Sequence, residues 1–138
     1  MKRPFILIIL LLCLMSNALL AQSTSKTPAF TATSIGMVIY SNDVETIWNA
    51  LRLANYSKNA GDTVSVFLLG KGVELDNLVK ENANLKEQSD KFLKSGGLIL
   101  GCGTCLAQRK NNEPQVCKFS SLADLYALIR KNKTVLTF

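Results

Sequence analysis

Two cysteines separated by two residues, Cys102 and Cys105, are the residues of this 138-residue chain best suited to chemistry. An apolar run at residues 98–100 predicts a buried strand just before them, and a short helical pattern begins near Thr104. The thiols therefore stand where a strand ends and a helix begins, and unpaired backbone N–H groups at a helix start favour negative charge. We expect this position to lower a cysteine pKa and to raise reactivity at neutral pH.

The glycines on either side of Cys102, Gly101 and Gly103, should let a partner approach the backbone closely. In open α/β sheets, sites gather outside the carboxyl ends of the strands. Three segments follow predicted strand ends, at residues 41–43, 70–72 and 101–105. If they adjoin, Lys71 lies near the thiols and lowers their pKa further; the alternative is an exposed lysine with no role.

The C-x-x-C pair has several interpretations. Zinc binding is disfavoured, because Cys117 supplies at most one further ligand and the chain has no histidine. The spacing fits a thioredoxin-type redox pair, although the motif lies late in the chain. A reactive thiolate can also hold sulfane sulfur as a persulfide. A purely structural disulfide between Cys102 and Cys105, or with Cys117, is the remaining interpretation. The residues alone do not decide among these possibilities.

Other functional classes are poorly supported. Without histidine there is no Ser-His-Asp triad and no Cys-His dyad. The segment Gly70-Lys71-Gly72 lacks the spacing of a phosphate-binding loop. The net charge of +6 comes from basic residues that are spread along the chain, without the interleaved aromatics of a nucleic-acid platform. We therefore expect no metal, no cofactor and no nucleic-acid partner.

The N-terminus has the pattern of a secretory signal peptide. Lys2 and Arg3 precede an apolar stretch at residues 5–15, and small residues follow, with cleavage expected after Ala21 rather than Ala18. This divides the chain into a signal peptide at 1–21, a flexible lead-in at 22–33 and a folded domain at 34–138. We expect a periplasmic or secreted bacterial protein without stable membrane insertion after cleavage; the alternative is an uncleaved anchor.

The domain alternates strand and helix patterns from end to end. Local signals include a helix cap at Asn42 with Glu45 three residues later, and a capping box from Ser121 to Asp124. Such alternation is the signature of a parallel sheet covered by helices. The predicted fold is a single three-layer α/β domain, with a mostly parallel sheet of about five strands and helices on both faces.

Several of these segments together resemble the DsrE/DsrF-like (YchN-like) family. The resemblance rests on Cys-Gly-Thr-Cys-Leu-Ala-Gln-Arg at 102–109, Ser-Leu-Ala-Asp-Leu at 121–125 and Val-Leu-Thr-Phe at 135–138. The helix at 48–54 and the strand-turn at 66–73 fit the same pattern. It implies a compact DsrE-like α/β domain that assembles as trimers or hexamers, in the subgroup with C-G-T-C.

Several family members pass persulfide sulfur between cysteines in sulfur relays. The carrier cysteine there stands seven residues before an arginine, which is the position of Cys102 relative to Arg109. The resemblance thus implies Cys102 as sulfur acceptor and Cys105 as the resolving or assisting thiol. We expect a supporting group around them: Gly101, Gly103, Thr104, Arg109, Lys71 and Asn42.

The expected function is that of an exported sulfur carrier of the sulfurtransferase type, working with a sulfur donor or acceptor protein. Two alternatives remain. One is thiol–disulfide exchange through the C-x-x-C. The other is a non-catalytic oligomeric binding module in which a disulfide only staples the loop.

Overall fold

A computed structural model describes residues 31–138, which form a compact unit. The predicted signal peptide and most of the predicted lead-in lie outside these residues. At the centre is a five-stranded sheet whose strands run in the order β4-β3-β2-β1-β5. All four neighbouring pairs are parallel. The strands are β1 (Ser34–Ile39), β2 (Thr63–Leu68), β3 (Leu98–Cys102), β4 (Lys118–Ser120) and β5 (Thr134–Thr137).

Helices connect the strands, as a parallel sheet requires. They are α1 (Val44–Asn59), a 3₁₀ helix (Gly70–Glu74), α2 (Leu75–Glu81), α3 (Ala83–Lys94), α4 (Gly103–Gln108) and α5 (Leu122–Lys131). Helices α1 and α3 pack together, and α5 contacts β1 and β2. The fold-class prediction is confirmed: the domain is α/β, with five parallel strands between helices.

The core lies between the sheet and the α1–α3 layer. The centres of β1 and β2 are apolar on successive residues, which suits strands covered on both faces. The largest fully buried side chains include Phe67, Phe92, Met37, Ile39, Ile47 and Leu51. Leu128 of α5 is buried and belongs to this core, while most other side chains of that helix are exposed. The result is a rigid platform with its strand ends aligned at one edge.

Two local predictions about helix starts had different outcomes. The capping box at the start of α5 is confirmed, because the Ser121 side chain accepts from the Asp124 N–H and the Asp124 carboxylate accepts from the Ser121 N–H. The cap predicted at Asn42 is wrong. Asp43 caps α1 instead, accepting from the Thr46 N–H at 2.8 Å. Both residue types cap well, so the pattern alone did not separate these neighbours.

None of the helices formed by residues 31–138 is both long and apolar enough to cross a membrane.

Candidate functional site

The segments that follow β1, β2 and β3 meet at the carboxyl edge of the sheet, as the topology predicts. Three side-chain groups link them. Asn42 follows β1, Glu74 ends the 3₁₀ helix after β2, and Arg109 ends α4 after β3. The Glu74 carboxylate accepts from Asn42 Nδ2 at 2.8 Å and from Arg109 Nε at 2.8 Å. One carboxylate therefore ties together all three segments.

The two cysteines of the motif occupy different depths at this edge. Cys102 is the last residue of β3 and is buried, with 7% of its surface exposed. Cys105 is the third residue of α4, within its first turn, and is half-buried. Its Sγ accepts from the Gly70 N–H at 3.3 Å, and the Cys102 thiol is near enough to act on the pKa of Cys105. Both are free thiols in this structure, so neither sulfur is held in a disulfide.

The expectation that the helix start lowers the cysteine pKa is not met at Cys105. Burial and the hydrogen bond with the Cys102 thiol raise the pKa of Cys105 above its ordinary value. The Gly70 N–H and the Arg109 charge act in the opposite direction and offset only part of that rise. Burial disfavours the thiolate because it removes the charge from water. The local environment therefore favours the protonated thiol of Cys105, while the Gly70 N–H and the Arg109 charge partly stabilise its thiolate.

Glu74 is the residue of this site that the sequence did not single out. Arg109 and Asn42 both hydrogen-bond to its carboxylate and hold its pKa below the usual range, and the charge of Lys71 adds to this. Arg109 also donates from Nη1 to the Cys105 carbonyl at 3.3 Å. The only sequence signal was an acid placed just beyond a predicted strand end. Its partner is 35 residues away in the chain, which local patterns do not reveal.

The remaining predicted supporting residues lie around this centre. Lys71 is exposed, and its charge bears on Glu74. Gly101 is buried at the end of β3, where an added Cβ would lie 2.6 Å from Cys117 Sγ. Gly103 is half-buried against the Ser120 carbonyl, and Thr104 is exposed on α4. The structure thus brings all of the predicted residues to one edge, with Lys71 and Thr104 on its outer surface.

Cys117 belongs to a separate, closed environment behind the motif. It is 5% exposed, and burial together with the nearby Asp76 carboxylate raises the pKa of Cys117 to about 11. Asp76 itself is buried and accepts from the Gln115 and Val116 N–H groups at 2.6 and 2.8 Å. It also accepts from Asn111 Nδ2 at 3.1 Å. This carboxylate fixes the loop that leads from α4 to β4.

The chemistry available at the edge is that of two adjacent thiols with a nearby cation. Among residues 31–138, no group of three or more histidine, cysteine or acidic side chains is placed to hold a metal ion. The buried thiol of Cys102 lies near the half-exposed thiol of Cys105, so transfer of a sulfur atom or of a pair of electrons between them is chemically accessible. Both the persulfide and the disulfide interpretations fit this geometry.

Comparison with known proteins places the domain. The model of the DsrE/DsrF-like family matches residues 34–138. A crystal structure of the ychN protein from E. coli superposes with a TM-score of 0.65 at 17% identity, covering 78% of this chain and 100% of that one. A conserved protein of unknown function from Bacteroides thetaiotaomicron, BT1422, gives 0.64 at 18% identity, covering 77% and 95%. No curated protein matches the sequence. At these identities the two solved structures establish the fold alone.

Proposed function

We propose that this chain, which belongs to the DsrE/DsrF-like family, carries sulfane sulfur as a persulfide on its Cys102–Cys105 pair. The family is associated with sulfur relays in general. The observation that carries the proposal is the proximity of two free thiols at the carboxyl edge of the sheet, one buried and one half-exposed. The Gly70 N–H donates to the Cys105 thiol, and Arg109 donates to the backbone carbonyl of the same residue. As part of the proposal, we assign the chain to the C-G-T-C subgroup.

The transfer step exchanges one S–S bond for another. The Cys102 thiolate attacks the terminal sulfur of a donor persulfide, R–S–SH, and the S–S bond of the donor breaks. The donor leaves as the thiolate R–S⁻, while the protein holds Cys102–S–SH. Cys105 assists as the neighbouring thiol, and the positive charge of Arg109 stabilises the sulfur anions formed nearby. Burial of Cys102 would shelter the bound sulfur from water-borne nucleophiles.

Intact mass spectrometry after exposure to a protein or low-molecular-weight persulfide donor tests this proposal. We expect one added sulfur atom, mapped by digestion to Cys102. Cys102→Ser should abolish stable loading while the fold persists, and Cys105→Ser should slow it. Cys117→Ser is the matched control, because that buried thiol lies outside the site, and it should load like the wild type. Loading that survives Cys102→Ser would sink the assignment of the carrier.

Thiol–disulfide exchange is the second candidate, and it is favoured by the C-x-x-C spacing together with the proximity of the two thiols. In that case an oxidant substrate takes two electrons, and a Cys102–Cys105 disulfide replaces two thiols. The reduction potential separates this from a purely structural staple, since structural disulfides lie below about −300 mV and exchange-active ones above it. A staple in a non-catalytic binding module would also make the double Cys→Ser variant less stable without loss of ligand binding.

The cellular location is part of the proposal. The signal-peptide pattern of residues 1–21 supports export to the periplasm or outside the cell, with the mature chain beginning at Gln22. N-terminal sequencing of protein recovered from the periplasmic fraction tests it. Recovery of full-length chain in the cytoplasm would contradict export.

We further propose that the protein forms a homo-oligomer, a trimer or hexamer as the family resemblance implies. The outer face of α5 supports this, because Leu122, Tyr126 and Ile129 are 72%, 66% and 47% exposed. Their spacing of four and three residues places them on one helix face. The proposed occupant is a second copy of this chain. Light scattering should give a multiple of the monomer mass, and Tyr126→Glu should reduce it, whereas Arg130→Glu on the same helix should not.

A further inference from the structure

Glu74 occupies a central place in the site, yet neither motif nor spacing marks it as functional. Its side chain is 31% exposed, and that of Arg109 is 28% exposed, so the pair is partly shielded from solvent. Arg109 Nε lies 2.8 Å from Glu74 Oε1, a charge-assisted hydrogen bond of good length. The second carboxylate oxygen is held by Asn42 Nδ2. The carboxylate is therefore itself oriented from the opposite side.

The Arg109 side chain has two anchors, which play different roles. Its Nη1 donates to the Cys105 carbonyl, on the helix that carries the thiol. Its Nε is fixed by Glu74, on the segment after the neighbouring strand. The second anchor decides where along the edge the guanidinium lies, because a lone bond to a carbonyl leaves a long side chain free to swing.

We infer that Glu74 is a positioning residue, which acts on the cysteine pair by holding the Arg109 guanidinium beside Cys105. Asn42 supports it by fixing the carboxylate. The inference rests on the proposed use of the cysteine thiolates, but it concerns the reactivity of the empty site rather than the identity of the sulfur donor. On this inference, Glu74 contributes by holding Arg109 in place and not through its own negative charge.

Position and charge have opposite effects on Cys105, so substitutions can separate them. Loss of the carboxylate charge by itself would favour the Cys105 thiolate, since a nearby negative group would be gone. Loss of the arginine from its place would disfavour the thiolate. Glu74→Asp keeps the charge but withdraws it by one methylene, and Glu74→Gln keeps an acceptor oxygen at the right distance but removes the charge.

The test is the pH dependence of iodoacetamide alkylation of Cys105, measured in a Cys102→Ser background. Cys117, with a pKa of about 11, stays protonated over pH 6–9 and does not interfere. We expect Glu74→Asp and Glu74→Ala to raise the pKa of Cys105 and slow alkylation at pH 8 by about threefold, corresponding to about half a pKa unit. Glu74→Gln keeps the acceptor for Arg109 and loses only the negative charge, so it should lower the pKa of Cys105 relative to the background rather than raise it. Glu87→Ala, an exposed glutamate on α3, is the matched control.

The double variant Glu74→Ala/Arg109→Met completes the cycle. If Glu74 acts through Arg109, the double variant should titrate like Arg109→Met alone. A Cys105 pKa that is unchanged or lowered in Glu74→Asp would overturn the inference, as would effects of the two substitutions that simply add. Because alkylation involves no sulfur transfer, these outcomes are independent of whether the protein loads a persulfide.

Discussion

Two thiol environments lie on either side of the end of β3, and they differ in what surrounds the sulfur rather than in burial alone. The motif site comprises Cys102, Cys105, Asn42, Glu74 and Arg109. The Cys117 pocket comprises Gly101, Leu106, Asp76 and Cys117. In the motif site a backbone N–H and a guanidinium offset part of the effect of burial on the pKa of Cys105, which stays raised. In the Cys117 pocket, burial and a carboxylate both raise the pKa of Cys117.

The same contrast holds for the two carboxylates, which stand two residues apart in the chain. Asp76 binds two backbone N–H groups and one side chain, and it is 3% exposed. Glu74 binds two side chains and is partly exposed. A carboxylate that satisfies backbone donors fixes a loop, whereas one that holds side chains can set the position of a reactive group. The first is a structural role, and the second bears on chemistry.

The largest expected effect is on the structural side of this comparison. Asp76→Ala leaves two buried N–H groups and the Asn111 amide without their acceptor, and we expect it to lower the free energy of unfolding by about 3 kcal/mol. Asp76→Asn keeps one acceptor oxygen, so about half of that loss should remain. Urea unfolding measures both. If Asp76→Ala were as stable as the wild type, the division of roles between the two acids would fail.

The pH dependence of stability should reveal the Cys117 pocket next. The pKa of Cys117 is about 11 when folded, against 9.0 for an ordinary thiol. Below pH 9 both the folded and unfolded states bind this proton, so its contribution to stability is complete. As pH rises from 9 to 11 the unfolded thiol ionises first, and about 2 kcal/mol should be lost.

The stability difference between wild type and Cys117→Ala isolates this contribution from the titration of lysines and tyrosines. As pH rises, the free energy of unfolding of the wild type should fall relative to that of Cys117→Ala. A difference that stays constant from pH 8 to 11 would show that the pocket does not hold the thiol neutral.

The third and fourth predictions each replace a glycine, one beside Cys117 and one beside Cys105, and the two substitutions destabilise the fold for different reasons. Gly101→Ala places a Cβ 2.6 Å from Cys117 Sγ and 3.1 Å from a Leu106 methyl. We expect such overpacking to cost between about 1 and 2 kcal/mol. In a Cys117→Ala background the sulfur is gone, so the cost should be clearly smaller. Equal costs in the two backgrounds would rule out the sulfur as the obstacle.

An added Cβ at Gly70 would meet no clash, because its nearest neighbour, the Tyr40 carbonyl oxygen, is 3.9 Å away. The φ of Gly70, however, is +55°. Gly70→Ala should therefore cost about 1 kcal/mol through backbone strain alone. Gly70→Asn should cost less, because asparagine tolerates this region. Thermal unfolding compares them. Loss of the Cys105 alkylation profile in Gly70→Asn would show that the backbone had moved and that strain was not the whole effect.

The sequence was sufficient for the parts of this domain that depend on local patterns. The strand ends predicted before residues 41, 70 and 101 fall within a few residues of the ends of β1, β2 and β3, and the serine and aspartate at the start of α5 predicted its cap. The predicted strand before the motif was too short, because β3 continues through Cys102. Glycines carry little strand signal, so the run seemed to stop at Leu100.

The site itself was predictable only in outline. Topology placed the three segments at one edge, but it did not show that Asn42 binds Glu74 rather than capping α1. The pKa of Cys105 was misjudged because the depth of burial depends on packing that no local pattern encodes. Contacts across 32 to 40 residues, such as those of Glu74 and Asp76, arise only once the sheet is assembled.

The order of strands has a consequence for how the domain folds. The first strand, β1, sits between β2 and β5, and its pairing with β5 joins Ile35 to Thr134. One side of β1 therefore finds its partner only when nearly the whole domain has been synthesised. Such distant pairings slow folding because a large loop must close before any contact rewards it. Until then one edge of β1 is unpaired, and an unpaired strand edge can pair with other chains and promote aggregation.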